Sequence, residues 1–264
     1  MQRPIEHHRP VRPTSGHEKV LNLVKAVPHA GHRQGETVCC AGVTEHGEWR
    51  RQYPVHFRRL DSQFKRWDWI EYDWISPGSG DTRWESRRVQ EDTIVVRGKL
   101  TRSKHAKLLN PLVLPSMAAA AALGRSLVLI RPQKTRFRHK AKTQKTIDEE
   151  KRRYQAAAAQ LSMMDAELSA LEPCPYAFKF QYETEDGIPH EMACEDWETT
   201  AMFNKWQRIM GAQPALDQMS VTFNERYPEA GMAFAMGTHS RHPDQWLLVG
   251  VLRLDHDPQS GFAL

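Results

Sequence analysis

The sequence predicts an α+β fold, made of a small β-rich N-terminal unit, a long central helix and a C-terminal α+β unit. In the first part, short apolar segments alternate with turn residues, which is typical of a small sheet or a partly closed barrel. A long run of good helix formers comes next, and two strongly apolar runs flank a polar turn near the end. The predicted organisation is a flexible tail over residues 1–16, a β-rich unit over 17–100, a helical and basic connecting region over 101–171 and an acidic α+β unit over 172–264.

Apolar–polar alternation and turn residues define the elements of the β-rich unit. Residues 1–16 are rich in Pro and Arg and offer little to bury, so we expect a mobile tail. Residues 44–47 form a tight-turn signal between two strand patterns, which predicts a hairpin. Strands are predicted over 19–27, 36–43, 48–53, 67–74 and 92–97, with an irregular or short helical link over 54–60.

Helix formers dominate the middle of the chain. Thr146 suits the N-cap of a long helix over 146–171, because Glu149 completes a capping box, and Pro173 and Pro175 end this helix. The last strand is apolar nearly throughout, which predicts that the two closing strands lie inside their sheet. The other predicted elements are helices over 102–109, 116–123 and 196–210 and strands over 126–132, 177–182, 232–237 and 246–254.

Positive charge is concentrated in the first part of the chain. Residues 1–164 carry 31 Lys and Arg against 16 Asp and Glu, a net charge of +15. Residues 165–264 carry 6 against 16, a net charge of −10, and the two parts sum to the overall +5. Such asymmetry points to a polyanion partner. The candidate phosphate contacts are Arg131, Lys134, Arg136, Arg138, Lys140, Lys142 and Lys145, and Arg102 and Lys104 belong to a second group of cations without an acid.

The spacing within the basic segment fits a phosphate backbone. If the segment is extended, Arg136, Arg138, Lys140 and Lys142 lie along one side at about 6.6 Å intervals. Neighbouring phosphates on one strand are separated by about 7 Å. A solvated loop without a partner is the alternative interpretation.

Tryptophans and arginines alternate in the β-rich unit. Trp49 and Trp67 lie among arginines, and exposed rings in that setting would stack on nucleic-acid bases. Strand alternation also implies that some of these rings face the core.

Two further segments are candidates for metal or catalytic chemistry. His190 and Cys194, four residues apart, would share a helix face as zinc ligands do, although a structural zinc site needs four ligands. Asp196 and Glu198 could hold Mg²⁺ in a nuclease-like site. Acidic residues at the start of a helix also serve the helix dipole, which is the simpler explanation of this cluster.

A polar loop between the two closing strands is the other candidate. His239 and His242 could bind a phosphate or act as acid and base, and a plain hairpin tip is the alternative. Glycine motifs of nucleotide-binding folds and the Gly-x-Ser-x-Gly motif of serine hydrolases are absent from the sequence.

Three segments, over 37–55 with 64–71, over 196–198 with the preceding His190, and over 237–250, resemble a group of bacterial proteins of unknown function, some of which are associated with defence-type gene neighbourhoods. The resemblance covers about a quarter of the chain. It implies a Cys-containing insert just before His190, suggestive of a zinc knuckle, but residues 183–189 of this chain contain no Cys.

The function predicted from these observations is that of a nucleic-acid-binding subunit of a bacterial assembly, in the setting of anti-phage defence, with no cofactor. The acidic last part would then face a protein partner. The sequence has no signal peptide and no membrane-spanning apolar run, and its four Cys suit reduced thiols, so we expect a cytoplasmic protein that does not enter a membrane. The alternatives are a metal-dependent nuclease or phosphodiesterase using Mg²⁺ or Zn²⁺, and an interaction subunit that docks on an acidic protein.

Overall fold

The N-terminal strands close into a barrel. The computed structural model describes residues 12–31, 35–56, 64–162, 171–239 and 242–256. The strands of the first unit are β1 (Ser15–Lys25), β2 (His29–Gly31), β3 (Gly35–Thr44), β4 (Trp49–His56), β5 (Asp68–Ile75), β6 (Ser86–Val89) and β7 (Val95–Lys99).

The pairing of these strands forms a closed circuit. β1 pairs with β5 through its first half and with β3 through its second half. β3 pairs with β4, β4 runs parallel to β6, and β6 returns to β5. The circuit has five strands, β1, β3, β4, β5 and β6, and its third and fifth members (β4 and β6) are parallel. This connectivity matches that of the oligonucleotide-binding (OB) barrel. The predicted small barrel is therefore confirmed.

Apolar side chains fill the barrel, and Phe64 lies against them from the segment between β4 and β5. Lys25 is buried there and donates a hydrogen bond to the carbonyl oxygen of Phe64. The interior is formed by Val20, Val38, Cys40, Val55, Phe64, Ile70, Tyr72, Trp74 and Val89.

The C-terminal region is α+β, as predicted, and contains two three-stranded antiparallel sheets. We call β13-β12-β8 the central sheet and β11-β10-β9 the outer sheet. The strands are β8 (Leu127–Ile130), β9 (Gln133–Ala141), β10 (Tyr176–Glu183), β11 (Pro189–Ala193), β12 (Met232–Thr238) and β13 (Trp246–Arg253). The helices are α1 (His105–Leu109), α2 (Met117–Ala122), α3 (Gln144–Ser162), α4 (Trp197–Met210), α5 (Ala212–Val221) and α6 (Tyr227–Ala230), and a π-helix (Thr222–Arg226) joins α5 to α6.

The central sheet is covered on both faces. One face packs on the outside of the barrel, where Leu127 and Ala235 meet Val43 and Trp49. The other face packs on the outer sheet, α4 and α5 through an aromatic cluster that includes Phe234. All seven residues of β12 are buried for this reason, and the fold consists of barrel, central sheet and outer layer in that order.

The sequence prediction of the closing strands is half right. β12 lies in the middle of the central sheet, but β13 is an edge strand. Its outer edge is nevertheless satisfied, because the Leu248 carbonyl accepts from the Glu195 N–H and the Val251 N–H donates to the Asp196 carboxylate. Such hydrogen bonds from side chains and loops allow an apolar strand to lie at an edge.

The predicted tail is wrong where the structure describes it. Residues 15 and 16 begin β1, and Arg12 donates hydrogen bonds to the carbonyls of Asp81, Arg83 and Ser86. Residues 1–11 lie outside the described residues.

The central helix differs from the prediction at its start. α3 begins at Gln144, and the Thr143 hydroxyl accepts from the Thr146 N–H, so Thr143 and not Thr146 occupies the capping position. Residues 163–170 of the predicted helix lie outside the described residues, and Leu171 is not helical. The strand β4 also continues through residues 54–56, where a link was predicted.

Candidate nucleic-acid interface

The outer sheet presents a basic face to solvent. Phe137 of β9 points inward and is 3% exposed, packing against Phe178, Phe180 and Phe223. Because strand side chains alternate, Arg136, Arg138 and Lys140 lie on the opposite face, and all three are exposed. Their Cα atoms are spaced by about 6.6 Å. Within the described part of the chain, none of the three forms a salt bridge. We call these three residues the basic row.

The neighbouring strand adds to the positive charge of this face. Lys179 of β10 lies directly opposite Arg138, and Gln181 lies opposite Arg136. Glu191 of β11 accepts from Lys179 at 2.9 Å and from Gln181 at 2.8 Å. These hydrogen bonds hold the pKa of Glu191 below its ordinary value. On the outward surface of these three strands, two carboxylates (Glu183 and Glu191) therefore face five cations (Lys134, Arg136, Arg138, Lys140 and Lys179).

The remaining residues of the predicted segment have other roles. Arg131 is half-buried and donates to the carbonyls of Met232 and Leu254 and to Asn110, so its prediction as a phosphate contact is wrong. Burial lowers the pKa of Arg131. Lys142 binds both carboxylate oxygens of Glu150, at 2.9 and 2.7 Å, with its side chain 19% exposed.

The other predicted cations are exposed. Lys134 forms an ion pair with Glu183 at 2.7 Å, and Lys145 lies in the first turn of α3. Arg102 forms a surface ion pair with Asp255, and Lys104 is exposed nearby in a 3₁₀ turn. Such exposed ion pairs contribute little energy, so they leave these side chains able to exchange partners.

The predicted aromatic stacking surface is wrong. Trp49 is buried between the barrel and the central sheet. Trp67 stacks on His105 with ring centroids 3.6 Å apart, and the His105 ring lies within hydrogen-bonding distance of the Leu100 carbonyl, at 3.1 Å. Burial lowers the pKa of His105. Both rings are therefore occupied by the protein itself.

The barrel face that OB folds use is covered in this protein. Such barrels bind oligonucleotides on the face of their second and third strands, which correspond to β3 and β4. Here Ala41, Val43 and Trp49 from those strands pack on the central sheet. The approach is close, because a Cβ added to Gly250 would lie 3.1 Å from both Val24 and Ala235.

Arginines of the barrel reinforce this internal contact. Arg51 is buried and donates to the carbonyl and hydroxyl oxygens of Ser126, while Glu85 accepts from the Ser126 N–H and hydroxyl. Burial lowers the pKa of Arg51. Arg83 donates to the carbonyl of Thr238 at 2.7 Å. These cations hold the barrel against the central sheet and are not directed at a partner.

The predicted catalytic carboxylate is part of a buried ion pair. Asp196 is 1% exposed and accepts from Arg66 at 2.5 Å, from the Val251 N–H, from the Thr199 hydroxyl and from the Glu198 N–H. Burial lowers the pKa of Arg66, but Asp196, with smaller contributions from Glu198 and Tyr227, raises the pKa of this guanidinium above its ordinary value. Asp196 also caps α4, as the dipole interpretation implied. A metal ion at Asp196 would have to displace this arginine.

The predicted zinc arrangement is also wrong. His190 lies on β11, not on a helix, where its ring stacks on Tyr182 and contacts the Thr184 hydroxyl. Cys194 is buried, and burial raises its pKa to about 12. Across the described ranges, no three His, Cys, Asp or Glu side chains are grouped as metal ligands.

The histidine loop lies apart from Asp196. His239 and His242 stack with ring centroids 5.2 Å apart at the tip of the β12–β13 hairpin, where Thr238 pairs with Trp246. Asp196 instead contacts Val251, five residues farther along β13, which corresponds to about 16 Å. The two groups of predicted catalytic residues therefore do not converge. Residues 240–241 lie outside the described part of the chain.

The helices carry no signal for membrane insertion. Over the residues that the structure describes, each helix is too short or too polar to cross a bilayer.

Two family models match the chain. The family described as Domain of unknown function (DUF8758) matches residues 16–115, which contain the barrel, and Domain of unknown function (DUF8757) matches residues 113–263, which contain both C-terminal sheets. A comparison with curated proteins gave no match. Because the second family model covers more than half of the sequence, the chain belongs to the family Domain of unknown function (DUF8757).

Proposed function

We propose that this protein is a nucleic-acid-binding subunit of a larger assembly and that it contacts phosphates through the outward face of the outer sheet. The supporting observation is the basic row, in which Arg136, Arg138 and Lys140 are exposed at phosphate-like spacing and form no salt bridge with the residues that the structure describes. Arginine also offers a planar fork that matches phosphate oxygens. The fold by itself carries no function, so the proposal depends on this surface.

The setting of the protein is part of the proposal. All four cysteines are free thiols, which suits the reducing cytoplasm. The resemblance described above suggests a bacterial assembly of the defence type. The part of the acidic C-terminal region outside the outer sheet would face a protein partner within that assembly.

A charge-neutralising variant tests the proposal. We expect the triple variant Arg136→Gln, Arg138→Gln, Lys140→Gln to lose affinity for DNA or RNA regardless of sequence, because phosphate contacts position a protein without specifying bases. Each lost contact should reduce the slope of log Kd against log salt by about 0.7–0.9, and three contacts by about 2–3. Fluorescence anisotropy of a labelled oligonucleotide across a salt series measures both effects.

A matched control removes the same charge elsewhere. Lys107, Arg125 and Arg208 are exposed cations on other parts of the surface, and within the described residues none forms a salt bridge. Their triple exchange to Gln should leave the salt slope close to that of the parent. Equal losses in the two triple variants would show that net charge, and not this face, drives binding. Parental binding by a folded basic-row variant would reject the interface and favour docking on an acidic protein.

A further inference from the structure

A cavity of about 380 Å³ opens beside the basic row, between α3 and the outer sheet. Ala177 and Ala193 line it, and both also belong to the outward face of the outer sheet. Ala177 lies directly opposite Lys140, and Ala193 lies opposite Lys179. The mouth of the cavity is therefore one residue pair, about 5 Å, from the last cation of the row.

The walls of the cavity are aromatic and largely uncharged on the side of the strands. Tyr154 of α3, Tyr176 of β10 and Trp197 of α4 line it, together with the half-buried Cys174. Burial raises the pKa of the Cys174 thiol, so that it is neutral at physiological pH. The size falls within the range of pockets that hold small organic groups, and aromatic walls suit a flat heterocycle.

Charged side chains of both signs line the cavity, namely Lys142 and Arg153 together with Glu150, Glu172 and Glu195. Lys142 lies two residues beyond Lys140 along the chain and lines the cavity with its partner Glu150. Arg153 lines the α3 side, is exposed and makes no salt bridge within the described residues. A strand whose phosphates follow the basic row thus meets an aromatic recess at the end of the row, with a further cation on the opposite wall.

We propose that the cavity accepts one unstacked nucleobase of a single strand whose phosphates lie on the basic row, so that the protein prefers unpaired over fully paired nucleic acid. This inference rests on the proposed function. A paired base cannot leave its stack without an energetic cost, whereas a base in a single strand or a bulge is already free to enter. Stacking tolerates every base, because each base has a π-face, so no sequence specificity is implied.

Three probes and two cavity variants test this proposal. The probes are a single strand, a blunt duplex of the same sequence and that duplex with one bulged nucleotide. Ala193→Leu fills the cavity from an exposed position, and Tyr154→Leu removes one stacking ring. We expect both variants to lose on the order of tenfold in affinity for the single strand and the bulged duplex, with blunt-duplex affinity and salt slope unchanged. Ala121→Leu, the same exchange at an exposed position of α2, is the matched control and should behave as the parent.

The outcomes separate this inference from the function on which it rests. If cavity variants bind all three probes as the parent does, while the basic-row variant loses all three, the cavity proposal is overturned and the interface stands. If the basic-row variant also binds normally, the interface itself is rejected. A parent protein that binds blunt duplex as tightly as single strand likewise overturns the base-binding role.

Alkylation of Cys174 gives a second readout that does not depend on a variant. Cys174 lines the cavity, whereas the equally half-buried Cys39 lies in the barrel. We expect a single strand to slow iodoacetamide modification of Cys174 several-fold and to leave Cys39 unaffected, as followed by peptide mass spectrometry. Equal rates with and without the strand would contradict entry of a base.

Discussion

The barrel and the outer sheet are both rich in cations but use them in opposite ways. In the barrel, Arg50 is buried and bonded to Glu18 and Glu48, and Arg51 is buried against Ser126. In the outer sheet, Arg136, Arg138 and Lys140 project from one face and have no salt bridge to any described residue. Charge counted along the chain does not distinguish the two regions. Whether a cation serves folding or binding depends on what packs over the strand that carries it.

The difference follows from how each strand is covered. Both faces of the barrel wall near β3 and β4 meet protein, because the interior is filled and the outside packs on the central sheet. Strand β9 buries only its Phe137 side. A buried cation needs hydrogen-bonding partners within the protein, because an unpaired buried charge is costly. An exposed cation is solvated by water and remains able to bind a ligand.

The largest expected effect is on the buried ion pair. Asp196→Ala leaves Arg66 buried without its carboxylate and removes the cap of α4, so we expect the free energy of unfolding to fall by about 3–5 kcal/mol. Urea denaturation followed by tryptophan fluorescence measures this. Asp244→Ala, at an exposed position, should change it by less than about 0.5 kcal/mol. If Asp196→Ala unfolds at the same urea concentration as the parent, the Asp196–Arg66 ion pair has no structural role, and the catalytic alternative for Asp196 would have to be tested again.

An arginine of the barrel is the next test. Arg51→Ala removes both hydrogen bonds that the buried guanidinium donates to Ser126, so that the Ser126 carbonyl keeps only the Thr238 N–H, and we expect a loss of about 1–3 kcal/mol in the free energy of unfolding. Arg125 is the residue before Ser126 and is exposed, so Arg125→Ala should lower the free energy of unfolding by less than about 0.5 kcal/mol. Similar losses for the two arginines would break the distinction between folding and binding cations.

The third test uses pH. Burial holds the pKa of folded His105 below 6.5, so the unfolded chain binds a proton more readily, and stability is lost as pH falls below that value. Lowering the pH from about 8 to about 5.5 should therefore reduce the melting temperature more for the parent than for His105→Gln. Thermal melts of both proteins at the two pH values decide this. An equal fall in the melting temperatures of the two proteins would show that His105 does not contribute to the loss of stability in acid.

The smallest expected effect is on the basic row. The triple Gln variant of Arg136, Arg138 and Lys140 should change the free energy of unfolding by less than about 0.5 kcal/mol, because these side chains are exposed and form no salt bridge in the described part of the chain. The same urea denaturation used for Asp196→Ala measures it. A large loss would mean that the row stabilises the sheet, and its assignment to binding would have to be withdrawn.

Local signals in the sequence predicted local structure well. The turn predicted over 44–47 joins β3 to β4, and the helices predicted over 116–123 and 196–210 are observed as α2 and α4 within one residue of those bounds. These features depend on neighbours a few residues apart. The alternation of cations in β9 likewise placed the basic row on one face, because strand geometry alone decides it.

Long-range partners were not predictable in the same way. Arg131 was predicted to contact phosphate. In the structure its guanidinium instead donates to the carbonyls of Met232 and Leu254, which are more than a hundred residues away in the sequence. Trp49 was predicted to stack on bases, but in the structure the central sheet covers its ring. The cavity left no signal in the sequence, since its walls come from α3, β10, β11 and α4 together.

The pairing of β8 with β12 has a consequence for synthesis of the chain. Ile130 lies opposite Phe234, so roughly 100 residues must be added after β8 before its partner strand exists. At about 5–20 residues per second, the ribosome needs roughly 5–20 s for this, while the barrel that precedes it is already complete. Throughout that interval Val43 and Trp49 lack the part of their cover that β12 and β13 supply. We expect the nascent chain to recruit a holdase chaperone at this stage and to release it once β12 emerges.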